Sequence, residues 1–139
     1  MNMRRTTNIL LVDDDEIDVM NVRKAFEQGR ITNPLFHAKD GVAALEMLRG
    51  GSIPSDRRLV LLDLNMPRMN GIEFLGALRD DPALRSTPVI VLTTSDGERD
   101  FVKAYNLHVA GYLVKPVSFL AFVEIMTTFN HYWELTEMA

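Results

Sequence analysis

Asp13 and Asp14 follow the apolar run "NILLV" (8–12), and Asp63 closes "LVLLD" (59–63). Thr93 and Thr94 close "PVIVLTT" (88–94), and Lys115 follows "AGYLV" (110–114). Three carboxylates brought together repel one another and raise at least one pKa unless a cation shares the site. Oxygen ligands without His or Cys favour a hard divalent ion, and Mg²⁺ held by a few carboxylates usually completes its shell with phosphate. The chemistry implied is therefore phosphoryl chemistry. A carboxylate can act as nucleophile and form an acyl phosphate, while the metal, the Lys115 ammonium and a Thr hydroxyl neutralise charge on the equatorial oxygens. Asp63 is the candidate acceptor.

Only a particular architecture gathers residues so far apart in the chain. "NILLV" is a short continuous run, after which Ile17, Val19, Val22, Ala25 and Phe26 recur at helical spacing until Gly29. Asp15 stands where an N-cap belongs, Asp18 where the acidic member of a capping box belongs, and Gly29 suits the C-terminal cap. "PLFHAK" (34–39) is a weaker strand, and Val42, Ala44, Leu45 and Leu48 stripe a second helix ending at Gly50 and Gly51. "LVLLD" is the third strand, and Ile72, Leu75 and Leu78 mark a helix stopped at Asp80, Asp81 and Pro82. The β-branched run 88–94 is the fourth strand. Phe101, Ala104 and Tyr105 give a short fourth helix, 110–114 a fifth strand, and 117–135 a long last helix. Five apolar strands joined by helices predict an α/β, doubly wound parallel sheet with five helices covering both faces. In such sheets the functional crevice lies beyond the carboxyl ends of the strands, where Asp13, Asp14, Asp63, Thr93, Thr94 and Lys115 all fall.

Composition narrows the function classes. The 139 residues are 47% hydrophobic and 24% charged, which suits one domain with a sizeable core. A net charge of −4 and the lack of a Lys/Arg-rich run disfavour nucleic acid as a partner. No cysteine is present, so neither disulfides nor thiolate chemistry is available, and a reducing compartment, the cytoplasm, is the expectation. The opening "MNMRRTTNILLVDDD" holds too short an apolar run for a signal peptide or membrane span.

With "VDD" after the first strand, "LLDLNMPRMNG" after the third, "VLTT" after the fourth and "GYLVKP" after the fifth, residues 7–130 resemble the receiver domain of two-component response regulators, the CheY-like family. The resemblance implies a flavodoxin-like sheet of order 2-1-3-4-5. It makes Asp63 the phosphorylated aspartate and Asp14 a direct Mg²⁺ ligand, with Asp13 assisting through water and the backbone carbonyl of Asn65 completing the protein's share. Lys115 would contact the phosphoryl group, with Pro116 after a cis peptide bond. Thr93 would turn its hydroxyl toward the phosphoryl oxygen and Tyr112 would move inward with it. A face built from the fourth helix, fifth strand and fifth helix would then change. The donor would be a phosphohistidine on a sensor histidine kinase or phosphotransfer protein.

Other residues have plainer readings. Asp15 is a cap, and Gly71 fits a turn in the loop after the acceptor. His37, His108 and His131 lack metal spacing and read as structural or surface groups. The methionines, Met66 and Met69 included, fill gaps. His108 stands where many receivers carry glycine, and Thr94 where alanine or serine is frequent, the latter bearing on phosphoryl lifetime. Phe119, Phe122, Val123, Met126, Phe129, Tyr132 and Trp133 spread apolar surface widely around the last helix. Either the helix packs deep or it offers a homodimer surface. "LHV" and "HYWEL" are similar to stand-alone regulators associated with phytochrome-type kinases. The expectation is one receiver domain, 1–139, with 131–139 a C-terminal extension, signalling through protein contacts with an unidentified downstream target and not an enzyme. Two alternatives remain: a receiver-fold binding module that works without phosphorylation, and an aspartyl-phosphate hydrolase, whose motif wants a second Asp where Asn65 stands.

Overall fold

Successive residues of a strand face opposite sides of a sheet, so a run that is apolar at every position must be covered twice. The computed structural model describes residues 7–64, 71–93, 107–115 and 118–135. Within them run β1 (Asn8–Val12), α1 (Glu16–Gln28), β2 (Leu35–Ala38), α2 (Gly41–Arg49), β3 (Arg58–Asp63), α3 (Gly71–Asp80), β4 (Val89–Thr93), β5 (Gly111–Val114) and a C-terminal helix (Phe119–Leu135). The strands form one parallel sheet of order β2-β1-β3-β4-β5, as the resemblance implied. The expected fourth helix, over Phe101, Ala104 and Tyr105, lies outside the described residues, and so do Met66, Met69, Thr94 and Pro116 with its peptide bond.

The two sets of strand side chains build two cores. Leu10, Val12, Val60, Leu62, Val89 and Val91 face α2 and α3, meeting Leu45, Leu48, Phe74 and Leu78. Ile9, Leu11, Leu59, Leu61, Ile90 and Leu92 face α1 and the C-terminal helix, meeting Val22, Phe26, Phe122 and Met126. Full burial of each such Leu, Val or Phe contributes about 1.5–3 kcal/mol. Shortening one to alanine would cost about 2–5 kcal/mol, because the packed sheet cannot close over the cavity.

Caps and close approaches set where the helices begin and end. Asp15 is the N-cap of α1 and accepts from the Ile17 N–H at 2.8 Å, and Asp40 does the same for α2 with the Ala43 N–H at 2.8 Å. Gly29 caps α1 with a negative φ, the left-handed turn falling on Arg30 (φ 55°) instead. Glycine is required at 29 because a Cβ there would collide with Thr127 Oγ1 on the C-terminal helix. At the far end of α3, the guanidinium of Arg79 donates to the carbonyls of His108 (3.0 Å), Arg85 (2.8 Å) and Thr87 (2.8 Å), tying the helix to the segments that lead into β4 and β5. His108 is itself exposed.

The apolar surplus of the last helix turns inward. Phe122, Met126 and Trp133 are buried, and Phe119, Val123, Ile125 and Phe129 are half-buried against the same core. Leu120 and Tyr132 remain exposed on this helix. Among the described residues, no helix is long and apolar enough to cross a membrane.

Candidate functional site

Parallel strands joined by right-handed crossovers present their carboxyl ends along one edge, and three of them deliver the acids and the lysine there. β1 hydrogen-bonds to both neighbours and carries Asp13 just past its last residue. The Asp13 N–H donates to the Ala38 carbonyl at 3.1 Å, and the Asp15 N–H donates to Asp13 Oδ1 at 2.9 Å, so the acidic turn is held from both sides. His37 Nε2, from β2, lies 2.8 Å from the Asp13 carbonyl oxygen and fixes the next peptide of the same turn.

Asp63 is the last residue of β3. Behind it, the Gly71 N–H donates to the Leu64 carbonyl at 3.1 Å, and a Cβ on Gly71 would lie 2.5 Å from Leu64 Cα and 3.0 Å from the Asp63 carbonyl oxygen. Gly71 thus serves close packing of the α3 start on the peptide after Asp63, which is more specific than the turn role its residue type suggested.

Carboxylate oxygens of Asp13, Asp14 and Asp63 all lie within 4.8 Å of one another. Asp13 is fully buried, Asp14 is exposed and Asp63 is 9% exposed, so the cluster opens to solvent on one side. Lys115 follows β5 and brings Nζ to 4.0 Å from Asp63 Oδ2, 3.9 Å from Asp13 Oδ2 and 2.9 Å from Asp18 Oδ2. Burial pushes the Asp13 carboxyl up to about 7; the Asp15 N–H and Lys115 ammonium oppose this, and the charges of Asp63 and Asp18 reinforce it. Burial alone would lower Lys115, but the hydrogen bond to Asp18 and the charges of Asp63, Asp13 and Asp18 outweigh it and hold the ammonium above its ordinary value.

The donor set fits a hard divalent cation. Asp13 Oδ2 is buried and accepts no hydrogen bond, an arrangement whose desolvation cost a bound cation would offset.

Of the remaining residues singled out from sequence, Thr93 ends β4 in register with Val114, and its hydroxyl lies outside the described atoms. Tyr112 is half-buried in β5 against the α2/α3-side core. Asn65 lies outside the described residues. Asp18 departs from its expected role: the Asp15 N–H that a capping box would give it goes to Asp13, and the Asp18 carboxylate binds Lys115 instead. His37 and Asp18 are the two residues that sequence reasoning did not place at the site. Asp18 lies in the first turn of α1, just after the acidic turn, which brings it over the same edge.

The response regulator receiver domain family matches residues 9–127 of this chain. The chain belongs to this family. This receiver is 40% identical over 130 residues to the probable methanogenesis regulatory protein FilR2 of Methanothrix harundinacea, covering 90% of this chain and 82% of that one. It is 35% identical over 128 residues to the response regulator Rcp1 of Synechocystis, covering 90% and 87% of the two. An Mn²⁺-bound form of Rcp1 superimposes with a TM-score of 0.77 at 34% identity, over 95% of this chain and 97% of the other. The phosphorylated cyanobacterial phytochrome response regulator RcpA gives 0.80 at 31% identity, over 96% and 98%. The receiver therefore falls among two-component response regulators, with phytochrome-associated regulators among its relatives.

Proposed function

We propose that Asp63 accepts a phosphoryl group from a phosphohistidine of a sensor histidine kinase or phosphotransfer protein, in an Mg²⁺-dependent transfer. The observation that carries this reading is the clustering of Asp13, Asp14 and Asp63 carboxylates within 4.8 Å, with the Lys115 ammonium 4.0 Å from Asp63. An Asp63 carboxylate oxygen attacks phosphorus, the bond from phosphorus to the donor's imidazole nitrogen breaks, and the imidazole leaves with the electron pair and takes up a proton. The acyl phosphate remains on Asp63.

Asp13, Asp14, Asp63 and the Asn65 backbone carbonyl would hold the ion, and its charge would neutralise phosphoryl oxygens. Lys115 supplies a second positive charge beside the acceptor, 4.0 Å from Asp63. Thr93 and Tyr112 act as the switch, the hydroxyl following the phosphoryl group and the ring following the hydroxyl. The Mn²⁺-bound Rcp1 and phosphorylated RcpA support a metal and a phosphoryl group in this fold.

The protein is a phosphoacceptor that assists its own phosphorylation and dephosphorylation, in the cytoplasm, as a single receiver domain over 1–139 with 131–139 as its C-terminal extension. Its output is a protein contact on the face carrying β5 and the C-terminal helix, where Val114 and Leu120 stand exposed and where a second copy of the chain or a downstream protein would meet it. Incubation with Mg²⁺ and acetyl phosphate should add one acid-stable, base-labile phosphoryl group to wild type and none to Asp63→Asn. Full labelling of that variant would remove Asp63 from the role.

A further inference from the structure

Lys115 is engaged by a residue outside the acceptor cluster. Its Nζ is at hydrogen-bond distance from Asp18 Oδ2, 2.9 Å, and about 1 Å farther from Asp13 and Asp63, at 3.9 and 4.0 Å. Asp18 sits in the first turn of α1, 97 residues from Lys115 in sequence, so the pair is a tertiary contact made across the active edge. Both side chains line a cavity of about 120 Å³ between α1 and the C-terminal helix, with Asn21, Ser118 and Phe119 on its other walls. The lysine stem is mostly covered, and the cavity leaves the ammonium room to swing.

From this geometry we infer that Asp18 is a positioning residue that holds the Lys115 ammonium away from the acceptor in the resting protein and competes with the phosphoryl group for it. The inference rests on Asp63 being the phosphoacceptor. A phosphoryl group on Asp63 brings up to two negative charges and three acceptor oxygens within reach of an ammonium already 4.0 Å from the carboxylate. Meeting them turns part of the ammonium's charge and hydrogen bonding away from Asp18, so the contact between Asp18 and Lys115 competes with the phosphorylated state. Asp18 thereby sets how strongly the domain retains its phosphoryl group, without touching that group itself.

A double-mutant cycle separates this from simple charge repulsion, with beryllium fluoride as the phosphoryl probe at saturating Mg²⁺. Asp18→Asn should tighten beryllium fluoride binding about three- to fivefold, the upper worth of a partly exposed ion pair. In a Lys115→Met background the same substitution should change binding by less than about twofold. Asp18→Ser should behave as Asp18→Asn, which guards against an effect peculiar to one side chain. A merely structural role for Asp18 in the first turn of α1 predicts a lower melting temperature and no tighter binding. Unchanged or weaker binding in Asp18→Asn, or equal tightening with and without Lys115, overturns the inference. Failure of the acceptor reading is separately visible: wild type would then not bind the probe, or Asp63→Asn would bind it as well as wild type.

Discussion

His37 Nε2 and the backbone carbonyl oxygen of Asp13 lie 2.8 Å apart, joining the end of β2 to the turn that carries the acidic cluster. For the ring to donate, Nε2 must carry the hydrogen. The contact explains why a histidine without metal spacing stands in an otherwise apolar strand. His37→Phe keeps the ring volume and loses the donor. It should lower the melting temperature by a few degrees, corresponding to about 1 kcal/mol, and weaken Mg²⁺ binding while leaving Asp63 able to accept a phosphoryl group. Thermal melts and calorimetric Mg²⁺ titration check this; an unchanged Mg²⁺ affinity would limit His37 to a role in stability.

Crowded carboxylates without a cation store repulsion that an ion relieves. Millimolar Mg²⁺ should therefore raise the melting temperature of wild type, as any ligand specific to the folded state does, and raise that of Asp14→Ala by clearly less. Equal shifts in scanning calorimetry would exclude Asp14 from the metal shell.

Asp13 gives the metal-free protein a pH signature. Its carboxyl is pushed up to about 7 in the fold from an ordinary 3.8, so between those values the folded state holds a proton that the unfolded chain releases. Stability from this group is full below about pH 4 and is lost as pH rises through about 7. In EDTA, the difference in urea midpoint between Asp13→Asn and wild type should therefore move in favour of the variant from pH 5 to pH 8. Parallel curves across that range would mean the carboxyl is not the cause.

Arg79 joins α3 to three carbonyls at once, and burial lowers its pKa without a carboxylate among its described contacts. Arg79→Ala should cost about 1 kcal/mol, since three carbonyls, one of them part-buried, lose their donor. Arg79→Lys should recover only part of that, because one ammonium cannot reproduce the planar fork. Denaturant melts report both.

If self-association uses the β5 and C-terminal-helix face, Leu120→Lys should convert a dimer to a monomer by light scattering with the melting temperature within a degree or two of wild type, since Leu120 is 71% exposed. Removing the residues after Asn130 is a poorer test, because it also deletes the buried Trp133. A wild-type monomer at all concentrations would reject the dimer.

The sheet and most helix boundaries are legible because the central strands β1, β3 and β4 are continuous apolar runs and helices carry their own stops, such as Gly29 for α1 and Asp80 to Pro82 for α3. The acids and Lys115 were legible because strand ends share an edge in any parallel sheet. The role of Asp18 is not legible, for the opposite reason. Local sequence offers it the Asp15 N–H, and only the tertiary approach of Lys115 shows a stronger partner. His37 reads from sequence only as a structural or surface group, and the role of Arg79 is not legible, because each acts on backbone carbonyls, which carry no sequence signal. The inward turn of the last helix depends on how closely α1 approaches, which Gly29 permits and which composition alone does not report.

Trp133 is the chain's single tryptophan, 9% exposed, with its ring centroid 5.8 Å from that of Phe129. Its intrinsic fluorescence is therefore an optical reporter of how the C-terminal helix seats on α1. A blue-shifted emission belongs to the docked helix, and a red shift on adding a phosphodonor would follow undocking in real time, with no dye attached.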